Sequence, residues 1–76
     1  MEAKLIGVQQ INFTNSNGEK ISGTNIFCVF KDENVQGVRS ERFFIKPEIK
    51  IPECKINDMI EISFNMKGKV EKISKA

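Results

Sequence analysis

Lys20, Lys31, Arg39, Arg42 and Lys46 interleave with Phe27, Phe30, Phe43 and Phe44 in the middle of this 76-residue chain. Cations neutralise phosphates and aromatic rings stack on bases, the two interactions that hold single-stranded nucleic acid without reading its sequence. Asn17, Lys20 and Lys67 lie at or beside expected hairpin turns, where they can reach phosphates. A competing demand acts on the rings, because a chain this short needs most of its Phe inside. Spacing limits the cations as well: Arg39 and Arg42, three residues apart, project to opposite faces of any strand. Within Ile26-Phe27-Cys28-Val29-Phe30, the row Ile26, Cys28, Phe30 reads as core, which leaves Phe27 as the ring expected outside. The nucleic-acid-binding candidates are therefore Lys20, Phe27, Lys31, Arg39, Arg42, Phe43, Lys46 and Lys67, with Phe27 or Phe43 stacking on bases.

Other chemistries lack their parts. With no histidine, the commonest general base is missing, and no Ser or Cys has a recognisable activating partner. Glu41 and Glu61 alternate with apolar residues, as solvent-facing strand positions do. No catalytic site, enzyme activity or small-molecule substrate is expected. Two separated cysteines without histidine make no metal-ligand set, phosphate loops of the Gly-Xaa-Gly type are absent, and no cofactor is expected. Twelve Lys and Arg against ten Asp and Glu give a net charge of +2, so any phosphate binding must come from local clustering. Cys28 sits in an apolar run and Cys54 in an expected loop after Pro52-Glu53, a usage that favours a reducing compartment. Neither a secretion signal nor a membrane span is expected from the short apolar runs, and a cytoplasmic location follows.

The elements that must carry these residues are strands. Alternating apolar and polar runs, punctuated by turn residues, predict strands over about 4–14, 19–31, 38–46, 59–64 and 69–74. Strand 1 changes phase, with Ile6 and Val8 on one face and Ile11 and Phe13 on the other, so a bulge is expected between Gly7 and Gln10. Asn17-Gly18 favours a tight turn with positive φ at both central positions, and Gly68 a left-handed turn residue. On strand 3 each face carries a charge and a Phe, so its inward side stays open. Pro47 and Pro52 bracket Glu48-Ile49-Lys50-Ile51 and predict an extended segment in place of a helix. A sheet this small hides its edges best by closing. The expected fold is one all-β domain over residues 1–76: a small five-stranded antiparallel barrel, OB-like, with little or no helix. SH3-like connectivity fits the same strand count. So small a core gains from dimerisation, and a homodimer is expected.

Three stretches carry a resemblance: Gln10-Ile11-Asn12-Phe13, Gly23-Thr24-Asn25-Ile26-Phe27-Cys28-Val29-Phe30, and Ile62-Ser63-Phe64-Asn65-Met66-Lys67-Gly68-Lys69-Val70. Together they make the chain resemble the small helix-destabilising, single-stranded DNA-binding proteins of phages and mobile elements, of the filamentous-phage gene V type. The resemblance implies an OB-type barrel without the usual helix, a symmetric dimer, and cooperative, sequence-tolerant coating of single-stranded DNA in phage or plasmid replication or transfer. That family often uses exposed Tyr; here only Phe is present. The competing expectation is a non-enzymatic protein-interaction module or accessory subunit, pairing through a strand edge or the Phe27/Val29 face.

Overall fold

Two nearly identical turns set the framework. In Asn15-Ser16-Asn17-Gly18 the Asn15 side-chain oxygen accepts the amides of Asn17 (2.9 Å) and Glu19 (3.0 Å). In Asn65-Met66-Lys67-Gly68 the Asn65 oxygen accepts those of Lys67 (2.9 Å) and Lys69 (3.1 Å). Each ends in a glycine with positive φ, 79° at Gly18 and 77° at Gly68. An Asn that caps its own turn, followed by a left-handed Gly, is an efficient way to reverse a strand. Asn17 itself does not take a positive φ, so the first turn is the four-residue form and not the tight Asn-Gly turn expected from the sequence.

The computed structural model describes residues 1–76. It contains β1 (Glu2–Thr14), β2 (Lys20–Lys31), β3 (Val38–Ile45), β4 (Met59–Phe64) and β5 (Val70–Lys75), and no helix. All pairings are antiparallel, in one sheet of order β3-β2-β1-β4-β5. β1 is central: it pairs with β2 from Lys4 to Thr14 and with β4 from Glu2 to Lys4. Its bulge falls at Ile6, since Leu5 faces Cys28 and Gly7 faces Phe27. That is earlier than the phase change alone indicated. The shift puts Val8 opposite Ile26 on the core side, leaving Ile6 outside, so these two residues do not share a face.

Eight residues form the core: Ala3, Leu5, Ile26, Cys28, Ile45, Ile60, Ile62 and Ile73. Five of them are isoleucines, whose stiff branched side chains suit a pleated sheet face. Lys46–Asp58 crosses this core as an irregular strap without helix and packs Ile49, Ile51 and Cys54 against it; where an extended segment was expected after Pro47, the strap opens with a turn, the Ile49 amide donating to the Lys46 carbonyl at 3.0 Å. Both cysteines are free thiols.

The ring of strands stays open, a correction to the expected closed barrel. β3 and β5 are the two sheet edges, and no backbone hydrogen bond joins them. Side chains span the seam instead: Phe43 of β3 and Phe64 of β4 lie with ring centroids 5.6 Å apart, tilted by 57°. At the other end, the β1–β2 hairpin projects as an arm, and the molecule measures 42 × 26 × 25 Å. No helix is long and apolar enough to cross a membrane.

Candidate nucleic-acid interface

Pairing with β2 decides which way β3 faces. Ile26 opposes Phe43 and Thr24 opposes Ile45, so Phe43 and Ile45 turn inward, whereas Arg42 and Phe44 turn outward opposite Phe27 and Asn25. Phe44 reaches its place because residue 23 is glycine. A Cβ there would stand 2.5 Å from the Phe44 Cζ and 2.7 Å from the Ile45 carbonyl oxygen, closer than atoms tolerate. The Phe44 ring therefore lies over bare backbone and stays 44% exposed.

Where the sheet fails to close, β3 faces the start of β5 across a cleft of about 290 Å³. Arg42, Phe43, Phe44 and Lys46 line one wall; Gly68, Lys69 and Val70 line the other. The capped turn at Asn65 fixes the second wall, and the Phe43–Phe64 contact forms part of the floor. Arg42, Lys46 and Lys69 make no ion pair, and each is exposed. Three unneutralised cations around two rings attract an anion that also offers flat apolar surface.

The sequence candidates divide on this map. Arg42, Phe43 and Lys46 meet in the cleft, and Lys67 lies in the turn that carries its far wall. Lys20 and Lys31 do not converge with them or with each other, since they begin and end β2, about 36 Å apart along an extended strand. Arg39 is already occupied: its guanidinium donates to Asp32 at 3.1 Å and lies 3.7 Å from Glu41. The Asn34 amide and the Arg39 side chain, both bonded to Asp32, hold that carboxyl below its usual range. Phe27 is half-buried, opposite Gly7, in the space where a side chain on residue 7 would come within 3.2 Å of the ring. Phe27 thus lies on the outer face, away from the Ile26/Cys28 core row as expected, but it is not the exposed ring: Phe13, at 53%, and Phe44 are more open.

Lys69 escaped the sequence reading because nothing local links it to β3; only the curl of the sheet, which brings its two edges face to face, sets residues 42 and 69 on one cleft. Phe44 was visible in the basic-aromatic cluster, but its selection over Phe27 depends on the paired positions of Gly7 and Gly23. Compared with protein-family models, with curated proteins and with solved structures, the chain matches none.

Proposed function

We propose that the chain binds single-stranded DNA with little sequence preference, as a coating protein in phage or plasmid replication or transfer, in the cytoplasm. The observation that carries this reading is the meeting of Arg42, Lys46 and Lys69, all without carboxylate partners, around Phe43 and the exposed ring of Phe44. Cations set along a groove that contains aromatic surface suit a flexible strand whose bases are free to stack. A rigid duplex keeps its base faces stacked on one another. A five-stranded, partly open sheet is also a form that oligonucleotide-binding domains take, with the loops between strands 1–2 and 4–5 flanking the site. Here the second of those loops supplies Lys69.

Fluorescence anisotropy with an oligo-dT probe at low salt tests the reading. Saturable binding is expected, and Phe44→Ala should cost about 1–3 kcal/mol if that ring stacks on a base. No affinity for oligo-dT at low salt overturns it. The unpaired backbone of the β3 edge favours one other reading, a module that accepts an extended peptide as an added strand. That mode uses main-chain hydrogen bonds and leaves the cleft cations idle, so the same titration separates the two.

A further inference from the structure

The strap over the core is fixed at its ends and unbonded in its middle. It leaves β3 through the turn that joins Ile49 to Lys46. At its far end Asn57 takes a left-handed φ of 81°, a conformation that Asn accepts more readily than most side chains. The Asn57 amide then donates to the Leu5 carbonyl at 2.7 Å, and the Leu5 amide to the Asp58 carbonyl at 2.9 Å. The Asp58 carboxylate accepts the Lys55 amide at 2.9 Å and closes this second turn. From Lys50 to Cys54 no backbone amide or carbonyl has a partner in the protein, and side chains alone hold this stretch on the core. Beneath it lies a cavity of about 170 Å³. Leu5, Ile26, Ile60 and Ile73 form the floor, and Ile51, Pro52 and Cys54 the roof. Val8 and Gln10, both exposed, mark the open end. There the Thr24 hydroxyl, in a residue only 9% exposed, donates to the Gln10 side-chain oxygen at 3.3 Å.

We propose that this cavity binds a small uncharged molecule made of one apolar ring and one hydroxyl group. Protein interiors close to crystal-like density and keep few voids larger than a water molecule. This space persists because its floor is stiff, branched isoleucine and its roof is pinned at both ends. Its size sets the occupant. A cavity of about 150 Å³ with aliphatic and aromatic walls takes up benzene, so a single ring with small substituents fits here. Its walls set the charge. No Lys, Arg, Asp or Glu lines it, and a charged ligand would lose its hydration with nothing in return. Its open end sets the polar group. No donor reaches the Thr24 hydroxyl oxygen, and the Gln10 side-chain nitrogen donates to no group of the protein, so one ligand hydroxyl can donate to the first and accept from the second. Entry follows from the strap, whose middle can lift without breaking a backbone hydrogen bond. The cavity shares no lining residue with the Arg42–Lys69 cleft, and the inference does not rest on DNA binding.

Titrating the whole chain with 4-methylphenol while following its amide resonances tests the proposal. Saturable shifts are expected at Leu5, Ile26, Ile51 and Ile60, with a Kd on the order of 1 mM, a modest affinity for a ligand of this size. Saturating 4-methylphenol should slow labelling of Cys54 by a thiol reagent, because the occupant covers the inner side of the roof. Thr24→Val keeps the shape and removes the hydroxyl. It should weaken 4-methylphenol by roughly 3- to 10-fold and leave toluene unchanged. Benzoate, of similar size but charged, should not bind. No saturable shift below about 20 mM overturns the proposal, as do shifts confined to the Arg42–Lys69 cleft or an unchanged rate at Cys54. Benzoate binding as tightly as 4-methylphenol, or Thr24→Val weakening toluene equally, overturns it too. If Thr24→Val does not fold, the wild type decides, and toluene binding as tightly as 4-methylphenol is then the refuting result.

Discussion

Replacing Arg42, Lys46 and Lys69 together by Ala tests the cleft as a phosphate site. Binding a strand at three unpaired cations releases counterions from about three phosphates. For single strands the logarithm of affinity then falls against the logarithm of salt with a slope near −0.7 per contact, or about −2.1 in all. Between about 50 and 200 mM salt the wild type should therefore lose roughly 20-fold in affinity for oligo-dT. Each single replacement should reduce the slope by about 0.7, and the triple variant should leave it almost flat. Arg39→Ala is the internal control. Its guanidinium is held by Asp32 and Glu41, so its removal should change the slope little, although net charge drops by the same amount. Anisotropy titrations at several salt concentrations measure all six proteins. The reasoning fails if the triple variant keeps the wild-type slope, or if Arg39→Ala lowers it as much as Arg42→Ala does, because bulk charge would then be responsible.

Gly23→Ala should destabilise the fold by about 1–3 kcal/mol, since the new methyl meets the Ile45 carbonyl oxygen, a backbone atom that cannot step aside. At about 4–8 °C per kcal/mol for a domain this size, thermal melting should show a clear drop, and an unchanged Tm refutes the close approach. Asn65→Ala removes the acceptor of two turn amides and should cost about 1 kcal/mol in denaturant unfolding; no change means that the cap does not hold the hairpin. With a thiol reagent at about pH 8, Cys54 should react in the native chain while Cys28 stays silent until unfolding. Burial pushes the Cys28 thiol from 9.0 up to about 11 and keeps it neutral. The unfolded chain releases that proton first, so Cys28 should lower stability as pH rises from 9.0 toward 11. Native labelling of both thiols contradicts this placement.

The five strands were legible because their signals are local. Apolar alternation marked Met59–Phe64, the Asn and Gly residues marked both hairpins, and Pro47 and Pro52 ruled out a helix in the strap. What a single strand cannot report is its partner. The inward face of β3 was undecidable from Arg39-Ser40-Glu41-Arg42-Phe43-Phe44, because both faces read alike until Ile26 selects Phe43. The position of the bulge has the same cause: the phase of β1 shows that a residue is inserted, but only the register against β2 assigns it to Ile6. Arg39 looked free because its main acceptor, Asp32, comes from the preceding loop. Closure was expected from the general cost of open edges, and that argument neglects charge.

Charge also links the open seam to the proposed site. A ladder joining β3 to β5 would press Arg42, Lys46 and Lys69 closer together, with no carboxylate in ion-pair contact with any of them. Like charges a few ångströms apart cost on the order of 1 kcal/mol in water and more beside an apolar wall. Phe43 and Phe64 therefore close the floor of the seam through their rings while its mouth stays apart. In the reading proposed above, a phosphate backbone laid between the walls supplies the missing negative charge and relieves that repulsion.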